Sequence, residues 1–213
     1  CVGDRITRFV RDGGHLLTSF FSGLVDENDR VILGGYPGGL RDVLGIWVEE
    51  TDALLPGAAN SMRIVAPDDY LQGPYRCSLL CDLVHLRDAR ALAVYGEDFY
   101  AGMPCLTEHD FGRGKAWYVA AAAEDRLLAD LAGKIIDQLG LKAPLEVPQG
   151  VEVTRRVKEG RDVLFVISHL MDETTIDLGP GPRTELLTGA QLRGSVTLPA
   201  GDVLVLQNTR NSQ

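Results

Sequence analysis

The sequence contains no long apolar run. Its longest uninterrupted stretch, Ala116 to Ala123, falls far short of the roughly 20 residues a helix needs to cross a bilayer, so a membrane partner is not expected. Cysteine is scarce, four in 213 residues. Cys1, Cys77, Cys81 and Cys105 form neither a CxxC pair nor a disulfide framework. Reduced, half-buried thiols in a cytoplasmic protein are the expectation. On a regular strand, Cys77 and Cys81 share a face roughly 13 Å apart, too far for a disulfide, whose Cα atoms usually lie about 4.4–6.8 Å apart. A zinc site built on that pair and a distant histidine is disfavoured, because structural zinc needs four convergent ligands. Basic residues are also in deficit: 21 Lys and Arg against 30 Asp and Glu give a formal net charge of −9. They are scattered, with runs such as Arg155-Arg156 too short to count, so the basic stripe of a nucleic-acid-binding protein is missing. The acidic surplus points to solubility.

Apolar residues make up 45% and charged residues 24%, as in an ordinary globular protein with a sizeable core. The chain begins at Cys1 with no initiator Met and no basic-plus-apolar leader, and a helical pattern starts almost at once. The expectation is a fragment whose start lies inside a domain. Ile6, Phe9 and Val10 recur at helical spacing until Gly13-Gly14, which serves as a C-cap. Strands are expected at His15–Phe21, Ile46–Glu50, Met62–Ala66, Arg76–Leu86 and Ala89–Tyr95, with a short helix at Leu40–Leu44. Pro104–Glu108 and Lys115–Ala121 flank Phe111-Gly112-Arg113-Gly114, a hairpin signal. The strongest helix is Glu124–Leu139, with Leu127, Leu128, Leu131, Ile135 and Leu139 on one face and Gly140 as its stop.

Composition then shifts. Ala143-Pro144 and Pro148-Gln149-Gly150 mark a linker, and beyond it no helical period recurs. Short strands follow at Val151–Val157, Val163–Ser168, Thr174–Leu178, Thr184–Leu187, Ser195–Leu198 and Val203–Gln207, the spacing of a small sandwich. Val163 to Ile167 is apolar throughout and reads as a central strand buried on both faces. The strand–helix alternation of the first part suits a doubly wound α/β sheet.

Four blocks near the start, Arg11-Asp12-Gly13-Gly14-His15-Leu16-Leu17-Thr18, Phe21 to Asp29, Gly34-Gly35-Tyr36-Pro37-Gly38 and Leu40 to Gly45, closely resemble the middle domain of family 42 β-galactosidases. So do Tyr95 to Pro104 and Gly112 to Val119. In the tail, Gly150 to Val153, Leu164 to His169, Leu186 to Gly189 and Leu198 to Gly201 extend the resemblance over nearly the whole chain. The resemblance implies a parent of three parts: a TIM-type barrel carrying the chemistry, a flavodoxin-like trimerisation domain, and a small antiparallel β domain. Residues 1–145 would be a truncated flavodoxin-like domain, similar to the class I glutamine amidotransferase fold and missing its opening strands. Residues 149–213 would be the all-β antiparallel sandwich. The parent would be a homotrimer that hydrolyses terminal β-D-galactosides with retention and needs no cofactor.

The chemistry of such an enzyme needs two carboxylates roughly 5–5.5 Å apart, set in a barrel of about 250 residues, and no such barrel fits here. Glu49-Glu50, Asp68-Asp69, Glu97-Asp98 and Glu124-Asp125 are sequence neighbours, which on a strand point to opposite faces. Only Glu97-Asp98, ahead of Phe99-Tyr100 in a loop, invites a substrate or interface role. Gly34 to Gly39 lacks the spacing of a phosphate loop and reads as a packing loop. The competing expectation is an amidotransferase-like enzyme or binding domain with a site near Cys105. Cys105 lacks the sharp strand-to-helix turn of such a nucleophile, and His109 is too near in sequence to be its base. His15, His85 and His169 read as structural. Carbohydrate binding by the β domain is disfavoured, since Phe165 is the only aromatic beyond residue 150. No catalytic, cofactor-binding or metal-binding residue is assigned, and the chain alone is expected to be inactive.

Overall fold

The computed structural model describes residues 2–208; Cys1 lies outside them, as do the last five residues of the expected β domain. The chain forms two compact units that divide between Leu139 and Gly140. No helix among the described residues is long and apolar enough to cross a membrane.

The first unit opens with α1 (Val2–Arg11), which buries Val10 and runs straight into β1 (His15–Ser19). A 3-10 turn (Gly38–Leu40) leads to α2 (Arg41–Leu44). Gly45 caps α2 at φ 64°, a conformation open to glycine, and an added Cβ would strike the Ala89 amide and the His109 ring. Then come β2 (Ile46–Ala53), β3 (Asn60–Ile64), β4 (Tyr75–Leu86), β5 (Arg90–Tyr95), β6 (Pro104–Phe111), β7 (Gly114–Val119) and β8 (Ala121–Ala123). The unit ends in α3 (Asp125–Gln138), whose Leu127 and Leu131 are fully buried and whose Leu128 and Leu139 reach solvent.

The expected doubly wound, flavodoxin-like sheet is not what forms. The strand order is β1-β7-β6-β5-β3-β4-β2, with β8 paired to β4. Among these pairings only β1–β7 is parallel. The physical reason is the connections: β5–β6 and β6–β7 are joined by short loops, and no helix separates β2 through β8 to carry a parallel crossover. β2 runs on to Ala53, past the expected Glu50, and β3 opens at Asn60, ahead of the expected Met62.

Because β8 continues β7 after Ala120 and pairs with β4, the pairings close on themselves, running from β3 through β4, β8–β7, β6 and β5 back to β3. Tyr95 crosses the interior and donates its hydroxyl to the carbonyls of Ala120 (2.9 Å) and Asp82 (3.2 Å). Met62, Cys77, Cys81, Cys105 and Tyr95 are all buried in this core. Further along, β4 pairs with β2 and β7 with β1, so the sheet splits. Segment 20–37 spans from β1 to β2 across that split: the Phe20 amide bonds Val119, and Tyr36 bridges Val48.

The second unit comprises β9 (Val151–Lys158), β10 (Arg161–Ser168), β11 (Thr174–Asp177), β12 (Arg183–Glu185), β13 (Gln191–Leu192), β14 (Ser195–Leu198) and β15 (Val203–Asn208). They form an antiparallel sheet β13-β12-β15-β10-β9 and a two-stranded sheet β11-β14. Side chains of both sheets, Leu164, Val166 and Leu206 with Ile176 and Leu198, share one apolar core, against which Leu145 and Val147 also pack. β10 pairs on both edges, with β9 and β15, but it is fully buried on one face alone: Leu164 and Val166 are buried, whereas Val163, Phe165 and Ile167 are half-buried. Its hairpin with β9 turns on Glu159 and Gly160, both at positive φ.

Candidate functional site

Neighbouring acids are spent on separate local contacts. Glu49 meets His85 Nε2 at 2.7 Å, and that imidazole stacks on Trp47 at 4.3 Å. Asp68 accepts the amides of Tyr70 and Leu71 (2.9 and 2.8 Å) and pairs with Lys134 at 2.7 Å. Glu124 precedes α3 and pairs with Arg126 at 3.2 Å. The Glu97 amide bonds Asn60 Oδ1 at 3.0 Å, and Asp98, at φ 70°, caps the Phe99 amide at 2.7 Å. In that loop Tyr100 is buried, packs edge-on against Tyr95, and bonds Asp52 at 3.0 Å, while Phe99 stays exposed. Glu97, Glu124, Arg126, Asn60 and Ser61 line an open cleft of about 440 Å³.

Cys105 lies inside β6, fully buried, and burial followed by the nearby Cys81 holds its thiol well above the ordinary range. His109 turns the other way and bonds the Val43 carbonyl at 3.0 Å. A protonated thiol sealed from solvent is not poised as a nucleophile. Cys77 and Cys81 depart from the expected spacing. A bulge in β4, with Leu79 at φ 65°, breaks the regular strand. Their thiols therefore interact, and Cys81 together with burial pushes Cys77 up. Cys77, Cys81 and Cys105 are free. Among the described residues no group of three or more His, Cys, Asp or Glu side chains is arranged to hold a metal ion. In the glycine-rich loop, Gly35 lies so close to β2 that an added Cβ would sit 3.1 Å from the Val48 carbonyl.

Two buried acids of the first unit, Asp82 and Glu108, went unmarked in the sequence. Asp82, at the split in the sheet, accepts hydrogen bonds from Thr51 (2.6 Å) and Tyr36 (2.9 Å) on Oδ1 and from Tyr118 (2.5 Å) on Oδ2. Burial raises its carboxyl above the ordinary value, although the three hydroxyls work against that. Glu108 on β6 accepts from Lys115 Nζ (3.0 Å), Arg90 Nε (2.9 Å) and the buried Trp117 Nε1 (2.9 Å). Burial works to raise it, but Arg90 and Lys115 more than offset this and hold it below the usual range. For Asp82 the one signal in the sequence was an acid alone within an apolar run, Cys81-Asp82-Leu83-Val84; Glu108, between Thr107 and His109, carried none. Both carboxylates are enclosed by their partners and join strands together. Neither faces a cleft.

The chain thus combines a mixed α/β unit with a following antiparallel β unit, and the carboxyl groups buried in the first, Asp82 and Glu108, are committed to contacts between strands. Profiles of the β-galactosidase trimerisation domain and the β-galactosidase C-terminal domain match residues 1–142 and 150–208. β-Galactosidase BgaA of Planococcus sp. (strain 'SOS Orange') is 48% identical over 202 residues, 95% of this chain and 30% of the relative. β-Galactosidase Pbg of Clostridium perfringens is 39% identical over 194 residues, 90% of this chain and 28% of the relative. The β-galactosidase structure from Bacillus circulans sp. alkalophilus superposes with a TM-score of 0.87 at 45% identity, covering 97% of this chain and 31% of that one. The chain belongs to the family 42 β-galactosidases, of which it represents the trimerisation and C-terminal domains. It spans about 30% of the length of the curated relatives it matches.

Proposed function

We propose that this chain is the assembly and support portion of a cytoplasmic homotrimer that hydrolyses terminal β-D-galactosides with retention. The carboxylate pair would lie on a barrel outside these 213 residues, and no cofactor takes part. The observation that carries this reading is the match over 95% of the chain to a β-galactosidase of which it spans only 30%. The internal geometry supports it, since Asp82 and Glu108 are buried against partners on neighbouring strands.

The test compares this chain alone with the protein encoded continuously with its upstream sequence, on a chromogenic β-galactoside. The longer protein is expected to turn over the substrate, and the chain alone to match a blank. Turnover by the chain alone that survives repurification, or none by the longer protein, overturns the proposal.

A further inference from the structure

The bulge in β4 does something the fold of one chain does not need. It places Leu79 at φ 65°, a conformation that leucine rarely adopts, and leaves its side chain 60% exposed. Beside it Leu55 is 79% exposed. Together with Leu54, Pro56 and Ala58 they line a groove of about 340 Å³ that has Arg76 on its wall. Strained backbone that presents an apolar side chain to water points to a contact beyond the single chain.

Elsewhere on the same unit is an exposed, hydrogen-bonded turn of acidic character. Residues 24–33 fold into a tight turn: Val25 bridges Val31, and the Ile32 amide bonds the Leu24 carbonyl at 2.9 Å. Asp26 locks the turn by accepting the amides of Asn28 (2.8 Å) and Arg30 (3.0 Å) and the Arg30 guanidinium (3.1 Å). The turn exposes Leu33 at 89%, with Val31 beside it, and carries the exposed acids Glu27 and Asp29. Its one cation, Arg30, is already paired with Asp26.

We propose that the 24–33 turn of one copy seats Leu33 in the Leu55–Leu79 groove of the next, with its acids facing Arg76. This rests on the assembly reading above and names the surfaces that perform it. Three features favour a second copy as the occupant. The unit matches a trimerisation domain. The two patches differ, as a head-to-tail contact requires, and such contacts close into rings. An acidic turn meeting a groove walled by an arginine is complementary in charge. A turn pre-ordered by Asp26 also loses little freedom on docking.

The test is sedimentation velocity of the full chain across a concentration series, with thermal unfolding of each variant at low concentration. Leu33→Asp is expected to weaken association roughly tenfold or more, as loss of a central apolar anchor does. Leu79→Gly is expected to weaken it comparably while the unfolding midpoint holds or rises, since glycine accepts this φ without strain. Arg76→Glu is expected to weaken association and Glu27→Lys in the same chain to restore it. A wild-type chain that associates while either Leu33→Asp or Leu79→Gly associates equally well overturns the pairing and leaves the assembly reading standing. A Leu79→Gly variant that unfolds earlier makes Leu79 a structural residue and also overturns it. A wild-type chain that stays monomeric throughout contradicts both.

Discussion

Tyr118 on β7 and Asp82 on β4 meet through a 2.5 Å hydrogen bond at the point where the sheet divides. Thr51 from β2 and Tyr36 from the crossing segment bond the same carboxylate. One side chain thus ties together four segments, of which only β2 and β4 are also paired through their backbones at Thr51 and Asp82. Asp82→Ala would leave the buried Tyr118 hydroxyl without its acceptor and Tyr36 and Thr51 with only each other, at an expected cost of about 3 kcal/mol. Chemical denaturation of wild type and variant measures it.

Asp82 also carries a pH signature. Its raised carboxyl means that the native state holds the proton more tightly than the unfolded chain. That contribution is complete below the ordinary carboxylate range and is lost as pH rises through the native value. The stability of the wild type relative to Asp82→Asn should therefore fall as pH rises across that window. A difference that stays constant with pH contradicts the assignment.

Glu108 behaves in the opposite sense. Its carboxyl is held below the ordinary glutamate value, burial being outweighed by Arg90 and Lys115. Its contribution is present above that ordinary value and is lost as pH falls through the native one. Glu108→Ala also strands the indole N–H of Trp117, which is fully buried. The expected loss is about 2 kcal/mol, accompanied by a change in tryptophan emission, since only Trp47 and Trp117 contribute.

The second unit has its own acid-sensitive group. Glu185 accepts the Thr188 hydroxyl (2.7 Å) and amide (2.6 Å) and the amides of Leu187 and Val205 (both 3.2 Å). Led by the Thr188 hydroxyl, these bonds bring its carboxyl down to about 2. The stabilisation is complete above the ordinary glutamate value near 4.5 and fades as pH falls toward 2. Protection of the β12 and β15 amides relative to their intrinsic exchange should fall through that window in wild type, and Glu185→Gln should flatten the response. An unchanged profile in the variant would contradict this.

The elements that the sequence disclosed were those with strong local periods. Leu127 and Leu131 marked α3, Gly112-Arg113 marked the β6–β7 hairpin, and Val163–Ile167 marked the central strand of the β unit. Strand direction was not disclosed, because alternation at period two looks the same in parallel and antiparallel pairs. That is why the doubly wound expectation failed although most strands were in place. Leu79 was invisible for a related reason: a bulge adds a residue without changing composition, and it moved Cys77 and Cys81 together against a regular-strand estimate. The buried acids were hidden because their partners, Tyr36, Thr51, Arg90 and Tyr118, are distant in sequence. The family was legible because ordered blocks from Arg11 to Gly201 could be read together.

The central claim is that this chain assembles copies of itself within a β-galactosidase. Light scattering coupled to size exclusion measures it most directly, giving the mass of the full chain at micromolar concentration. The account predicts a species of three times the chain mass, in equilibrium with monomer as the sample is diluted. A monodisperse monomer at every concentration would contradict it.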